Sequence, residues 1–242
     1  MEGCPLIIDH GRASSGGFPL HPLIEKAKTR ARHLLEPEAL ELLQDYGISA
    51  PHYRWVRTEE EAIEAAEALG WPVALKVVSP DILHKTDLGG VALSLQDRSA
   101  VAKAFSRMIS LGRDGKKIEG VLLTPFQSHD IELLVGMVRD AQFGPVITVG
   151  LGGIWVEALG DVAYGIAPLS MEESEVMIRS MKSYPVLLGL RGKKGADIEA
   201  LGELLVRLSR MALAESGIRE IDLNPIFPLE KGLFIADARI IL

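Results

Sequence analysis

Val73-Ala74-Leu75-Lys76-Val77-Val78 is an apolar strand with one charge at its centre. It runs into Ser79-Pro80-Asp81-Ile82-Leu83-His84-Lys85-Thr86-Asp87-Leu88-Gly89-Gly90 before a second strand, Val91–Leu95, begins. Short aliphatic, β-branched runs favour extended chain. An ammonium inside such a run is rarely buried without an anionic partner, because desolvating it alone is costly. Lys76 therefore reads as an edge-strand residue facing water, as half of an internal salt bridge, or as a point charge that clamps a phosphate. The connection over residues 79–90 exceeds the roughly 2–5 residues of an ordinary hairpin loop, and such connections are often functional. Gly89 and Gly90 admit backbone conformations closed to other residues and let the chain approach a phosphate. His84 stands beside Lys85, Thr86 and Asp87. An uncharged imidazole is a competent nucleophile near neutral pH; the same residues also describe an ordinary surface histidine in a mobile loop. Neither the P-loop pattern nor the dinucleotide-binding glycine fingerprint occurs.

Outward from this stretch the elements alternate. Ser49–Val56 reads as a strand. Thr58 before Glu59-Glu60-Glu61 opens a capping box, and Ala62–Leu69 supplies the apolar face of a helix that Gly70 ends. Asp97–Ile109 reads as a helix and Val121–Thr124 as a strand, which completes a β-α-β-β-α-β order, a split βαβ plan. Upstream, a helical segment over 21–47 stops at Gly47, and residues 1–20, rich in Gly, Ser and Pro, read as a loose tail. Downstream, Ile131–Val138 and Val146–Val149 read as strands, Met171–Met181 and Ala196–Ser216 as helices, and Ile221–Phe227 with Leu233–Ile240 as a closing hairpin. The expectation is an α+β protein of two α/β lobes, 21–124 and 125–242, enclosing a cleft and preceded by a flexible tail over 1–20.

The hairpin alternates with period two, so Glu220, Asp222 and Asn224 share one face. A turn centred on Glu230 and Lys231 places Asn224 opposite Asp237 and Asp222 opposite Arg239, with Cβ atoms about 4.5–5.5 Å apart. One carboxylate and one amide oxygen suit Mg²⁺, which fills the rest of its octahedron with phosphates and water. An exposed polar face with an Asp222–Arg239 ion pair is the other reading. Glu132, at the start of an apolar strand, is either a hydrogen-bond acceptor for a sugar or an ordinary strand-end charge. Gly150-Leu151-Gly152-Gly153 reads as a tight turn or a phosphate cradle, and Leu190–Gly195 as a basic, solvated loop or an anion contact. His10, His21, His33, His52 and His129 show no metal-ligand spacing.

The 242 residues carry a formal net charge of -7, which argues against a nucleic-acid partner. Cys4 is the single cysteine, so no internal disulfide forms. No apolar run reaches the roughly 18 residues of a membrane span, and residues 1–17 lack the pattern of a signal peptide. A cytoplasmic protein with no membrane partner is the expectation.

Taken together, Lys76, the run His84-Lys85-Thr86-Asp87-Leu88-Gly89-Gly90-Val91, Phe143-Gly144-Pro145-Val146, Gly150–Glu157, Leu190-Arg191-Gly192 and Asp222-Leu223-Asn224-Pro225 resemble the ATP-grasp subunit of ADP-forming acyl-CoA synthetases, from about residue 22 to the end. The wider relation is to the nucleotide-binding subunit of succinyl-CoA synthetase. The resemblance implies an ATP-grasp fold with ATP or ADP held between the lobes. It implies that Lys76 binds nucleotide phosphates, that Thr124, Phe126, Gln127 and Glu132 surround adenine and ribose, and that Asn224 and Asp237 hold Mg²⁺. It identifies His84 with a histidine that takes a phosphoryl group on a moving loop, a feature the succinyl-CoA synthetase relatives lack. The implied partner is a CoA-binding α subunit with its own catalytic histidine, in an α2β2 assembly, and the implied reaction is acyl-CoA + ADP + phosphate ⇌ acid + ATP + CoA. One departure is Gly165, where arginine is common in the family. Two rival functions are a stand-alone ATP-grasp carboxylate ligase and a non-catalytic nucleotide sensor.

Overall fold

The computed structural model describes residues 20–82, 84–153, 160–189 and 195–242. The expected tail, apart from Leu20, and the matching runs Ile154–Glu157 and Leu190–Gly192 lie outside those residues. The helical segment expected over 21–47 is two helices, α1 (Pro22–Thr29) and α2 (Glu36–Asp45). The break has local causes. Ala31 takes a φ of 49°. Pro37 would clash with the preceding turn inside a longer helix but is tolerated in the first turn of a new one. Across the break Arg32 donates to both Glu38 oxygens, at 2.6 and 2.8 Å, and the Leu35 N–H donates to Glu38 at 3.0 Å. At the far end Gly47 adopts a φ of 73° and Ile48 N–H reaches back to Leu43 O at 2.9 Å, the stop expected there.

The split βαβ order builds the first sheet. Its strands are β1 (Arg54–Val56), β2 (Val73–Val78), β3 (Val91–Leu95) and β4 (Gly120–Pro125), arranged β1-β4-β2-β3 with antiparallel neighbours. The helices are α3 (Glu59–Leu69), with the Thr58–Glu61 capping box in place and Gly70 at its end, and α4 (Arg98–Ser110), capped by Asp97. Alternation along β2 and β4 sends Val73, Leu75, Val77, Val121 and Leu123 into a core with Ala62, Ala66, Val101, Phe105 and Met108 of the two helices. The opposite face carries Ala74, Lys76 and Thr124.

The second sheet holds β5 (Leu133–Asp140), β6 (Gly144–Leu151), β7 (Val162–Ile166), β8 (Glu220–Pro228), β9 (Leu233–Ile235) and β10 (Ala238–Ile241), in the order β10-β8-β5-β6-β7 with β9 also on β8. The helices α5 (Met171–Ser180), α6 (Tyr184–Leu187) and α7 (Ile198–Ala214) complete the described α-helices, and a 3-10 turn, Leu111–Asp114, follows α4. α7 buries Leu201, Leu204, Leu205, Leu208 and Met211, the spacing of one helix face, against this sheet. β7 lies outside the expected strands: it has one strand neighbour, and Gly165 interrupts its apolar run. A Cβ on Gly165 would come within 2.5 Å of Met177 Sδ and 2.9 Å of Leu169 Cδ2, so the family arginine fits there only if the ends of these two side chains move.

Within the expected first lobe, 21–124, Ile24, Ala27, Leu40 and Leu43 of α1 and α2 share the larger core with Val78 and Leu122 of the first sheet and Ile221, Leu223 and Ile240 of the second. The apolar faces of α1 and α2 thus complete the core around β8 and β10.

The Arg32–Glu38 link fastens this unit. Burial opposes the Glu38 charge, but the Arg32 and Leu35 donors outweigh it and hold the carboxyl below its ordinary value. Its stabilising contribution is therefore complete above the ordinary glutamate value of about 4.3 and is lost as pH falls through the lower folded-state value. The urea midpoint of Glu38→Gln is expected to lie below that of the unaltered chain at pH 7, with the gap narrowing once pH drops under about 4. A gap that stays constant down to pH 3 contradicts this account.

Candidate functional site

A cleft of about 510 Å³ separates the two sheets, within the range of small-molecule sites. One wall is the face of the first sheet that carries Ala74, Lys76 and Thr124. β2 is an interior strand, so Lys76 is no edge residue. Its ammonium contacts Glu36 Oε1, donates to Ala236 O at 2.6 Å and lies 3.5 Å from Asp237 Oδ1. The internal salt bridge is therefore present, and Lys76 also lines the cleft.

The facing wall is the hairpin, in the expected register. Asp222 pairs with Arg239, and Ile226 pairs with Ile235 further along. With Ala236 N–H bonded to Pro225 O at 2.9 Å, Asn224 stands opposite Asp237. The Asp222–Arg239 ion pair exists, at 3.1 Å, with Glu220 as a second acceptor at 3.1 Å. Asn224 and Asp237 both line the cleft.

The connector between the sheets closes one end. Phe126 N–H bonds Pro72 O at 2.9 Å, which holds Phe126 and Gln127 beside Thr124. Glu132 Oε1 lies 2.7 Å from His129 Nε2, and the His129 ring stacks on Phe227 with centroids 3.7 Å apart and 6° between planes. The glycines after β6 pack on Glu132: Gly152 N–H bonds its carbonyl at 2.7 Å, and a Cβ on Gly153 would come within 2.9 Å of Oε2. This turn buttresses an acid, and its glycines are needed for that close approach.

The His84 segment borders the remaining side. His84 is exposed. Behind it the chain closes on itself through Gly89 N–H to Thr86 O at 3.0 Å and Gly90 N–H to Lys85 O at 2.7 Å, with Gly89 at a φ of 70°. Lys85 Nζ reaches into the cleft, 2.6 Å from Glu36 Oε2 and 2.5 Å from Asp237 Oδ1. Glu36, Lys76, Lys85 and Asp237 thus form one cluster of two cations and two anions.

The cluster sets its own charge states. Burial works against the Asp237 charge, but Lys85 and Lys76 more than offset it and hold this carboxyl well below the usual range. Burial likewise opposes the Lys85 charge, and Glu36 with Asp237 raises its pKa above the ordinary value. Burial is the main influence raising the Glu36 carboxyl, with Asp237 adding to it, against the pull of both lysines.

All eight residues singled out from the sequence, His84, Lys76, Thr124, Phe126, Gln127, Glu132, Asn224 and Asp237, line this single cleft. Sequence reasoning missed Glu36, whose place in the first turn of a helix looks like ordinary complementation of the helix dipole. It also missed the reach of Lys85 and the His129–Phe227 stack. Among the described residues no group of three or more His, Cys, Asp or Glu could hold a metal. Asn224 and an ionised Asp237 nevertheless form the sparse oxygen set that Mg²⁺ accepts beside phosphates. No described helix is long and apolar enough to cross a membrane.

Residues 25–242 match the ATP-grasp domain family. The chain is 44% identical to the β subunit of acetate–CoA ligase (ADP-forming) I of Pyrococcus furiosus, over 91% of this chain and 96% of that one. It is similar, with a TM-score of 0.87 and 42% identity over 91% of this chain and 98% of that one, to the dinucleotide forming acetyl-coenzyme A synthetase 1 of Ca. Korarchaeum cryptofilum in complex with coenzyme A, Ca-AMPCP and HgCl+. A second structure of that enzyme, with coenzyme A and Mg-AMPPCP and its phosphohistidine segment pointing towards the nucleotide binding site, matches with a TM-score of 0.81 and 40% identity over 91% of this chain and 98% of that one.

The Glu36 side chain is 3% exposed and that of Lys76 is 7% exposed, so removing the carboxylate leaves two largely buried ammonium groups to share Asp237. Glu36→Ala is expected to lower stability by about 3–5 kcal/mol in urea unfolding. A loss under about 1 kcal/mol, the scale of a surface ion pair, contradicts the buried cluster.

Proposed function

We propose that this chain, which belongs to the family of ATP-grasp β subunits of ADP-forming acetate–CoA ligases, carries a phosphoryl group on His84 between a partner α subunit and ADP. The observation that carries the reading is that an exposed histidine borders the same cleft as Lys76, Asn224 and Asp237. The CoA chemistry belongs to the α subunit, in an α2β2 assembly. There a phosphohistidine passes its phosphoryl group on: the donor N–P bond breaks as the neutral His84 imidazole forms a new one. At the cleft an oxygen of the ADP β-phosphate attacks that phosphorus, the His84 N–P bond breaks, and ATP forms with the imidazole again neutral. Both steps run in reverse for ATP-driven synthesis.

The residues divide the work. Thr124, Phe126, Gln127 and Glu132 hold adenine and ribose at the connector. Lys76, fixed by Glu36, faces the transferring oxygens, since phosphoryl transfer depends largely on positioning and electrostatics. Asn224 and Asp237 are the oxygens that would hold Mg²⁺, which supplies charge neutralisation for the phosphates when bound.

The test mixes the purified chain with its α subunit, acyl-CoA and radiolabelled phosphate. An acid-labile label on His84 that ADP chases into ATP is the expected result. His84→Ala accumulates no label and turns over at background, and the β chain alone makes no ATP. A fully active His84→Ala enzyme favours a stand-alone ligase, and ATP binding without exchange favours a sensor.

A further inference from the structure

Lys85 follows His84 directly, yet the two side chains have opposite fates. His84 is exposed, whereas the Lys85 side chain is 14% exposed and ends between Glu36 and Asp237. The hydrogen bonds of the tip, Gly89 N–H to Thr86 O and Gly90 N–H to Lys85 O, are internal to the segment. Its C-terminal end is tied to the sheet by Val77 N–H on Gly90 O at 2.8 Å. Among the described residues, Lys85 is the side chain of residues 84–89 that bonds to other elements. The acceptor on α2 is rigid: Glu36 is buried and gives its second oxygen to Lys76.

We propose that Lys85 is the docking residue of the His84 segment and Glu36 its receptor, so that this ion pair holds His84 at the nucleotide cleft. The proposal deepens the phosphoryl-carrier reading and rests on it. Lys85 acts through position. It touches no reacting atom, and Glu36 serves as anchor because its carboxylate stays on α2 while the segment moves. Glu36 also remains the partner of Lys76 when Lys85 leaves, so undocking strands no ammonium in the interior. The backbone supports the same division. A Cβ on Gly90 would come within 2.6 Å of Val77 Cγ1 and 3.0 Å of Lys85 O. The base of the segment is thereby pressed against β2, and beyond it Lys85 is held by its backbone bond to Gly90 and, through its side chain, by the ion pair.

The experiment compares Lys85→Met, Lys85→Arg and Glu36→Gln with the unaltered β chain in the complete complex. Hydrogen exchange followed by mass spectrometry reads the segment directly. Exchange over residues 84–90 is expected to rise about tenfold in Lys85→Met, the scale of one charge-assisted hydrogen bond, with β8 unchanged and Lys85→Arg close to the unaltered chain. Single-turnover measurements then split the reaction. Loading of His84 from the α side stays within about twofold in Lys85→Met, while discharge to ADP slows about tenfold and recovers in Lys85→Arg; Glu36→Gln, which also alters the seat of Lys76, is read by exchange alone and is expected to follow Lys85→Met. Unchanged exchange, unchanged discharge, or loading that falls as far as discharge overturns the docking role. If the unaltered chain takes no label on His84, the carrier reading fails, and the exchange comparison alone decides whether Lys85 docks the segment.

Discussion

A carboxylate buried between two ammonium groups constrains much of this molecule. Lys76 sits in the middle of an interior strand, where an unpartnered ammonium would be too costly to desolvate. Its partner, Glu36, comes from a helix more than thirty residues earlier. That helix starts at the cleft and buries its apolar side beneath the second sheet. One ion pair therefore joins the first sheet to the core of the second. The N-terminal position of Glu36 adds to this, since the positive end of a helix dipole favours a carboxylate in its first turn. The packing of α2 follows from the two demands together: an apolar face for the larger core and an acid for the smaller sheet.

What the sequence discloses and what it hides divide along a physical line. Local signals are legible. The Thr58 cap, the Gly47 and Gly70 stops and the β-α-β-β-α-β order each depend on residues close in the chain, and each appears in the fold. The Asp222–Arg239 register is legible because a hairpin makes two distant residues effectively local through its turn. Pairings that cross between elements are not. Glu36 carries no mark separating it from Glu38 two residues on, which faces Arg32 instead. The His129–Phe227 stack joins residues from the connector and the hairpin, and neither spacing nor composition signals it. The break between α1 and α2 lay in plain view at Pro37, but the apolar pattern on both sides reads as continuous.

The cleft solves an electrostatic problem that any carrier of phosphate faces. It needs cations to receive a polyanion and must also be stable when no polyanion is there. A pair of ammonium groups held close together in a partly buried site would repel by several kcal/mol. The two carboxylates remove that repulsion, and they differ in exposure: the Glu36 side chain is 3% exposed and that of Asp237 33%. The more buried acid is the structural counter-ion, and the more open one is free to exchange partners with whatever enters.

Lys85 adds a consequence for the chemistry. On the carrier role proposed for His84, a phosphorylated imidazole would bring negative charge towards a cleft that would also hold a diphosphate, and like charges brought together raise the barrier to approach. Because the lysine is adjacent in the chain, the segment would bring a cation along with its phosphoryl group. That cation finds Glu36 and Asp237 already in place, so the docked state gains an ion pair as the anionic groups meet. On the same proposal, departure of the segment would remove one positive charge from the cleft and leave Lys76 with two acids. Such an arrangement no longer favours a lone polyanion, but it suits one accompanied by a divalent cation. The proposed role thus couples charge balance in the site to the position of the segment, through covalent adjacency and two carboxylates.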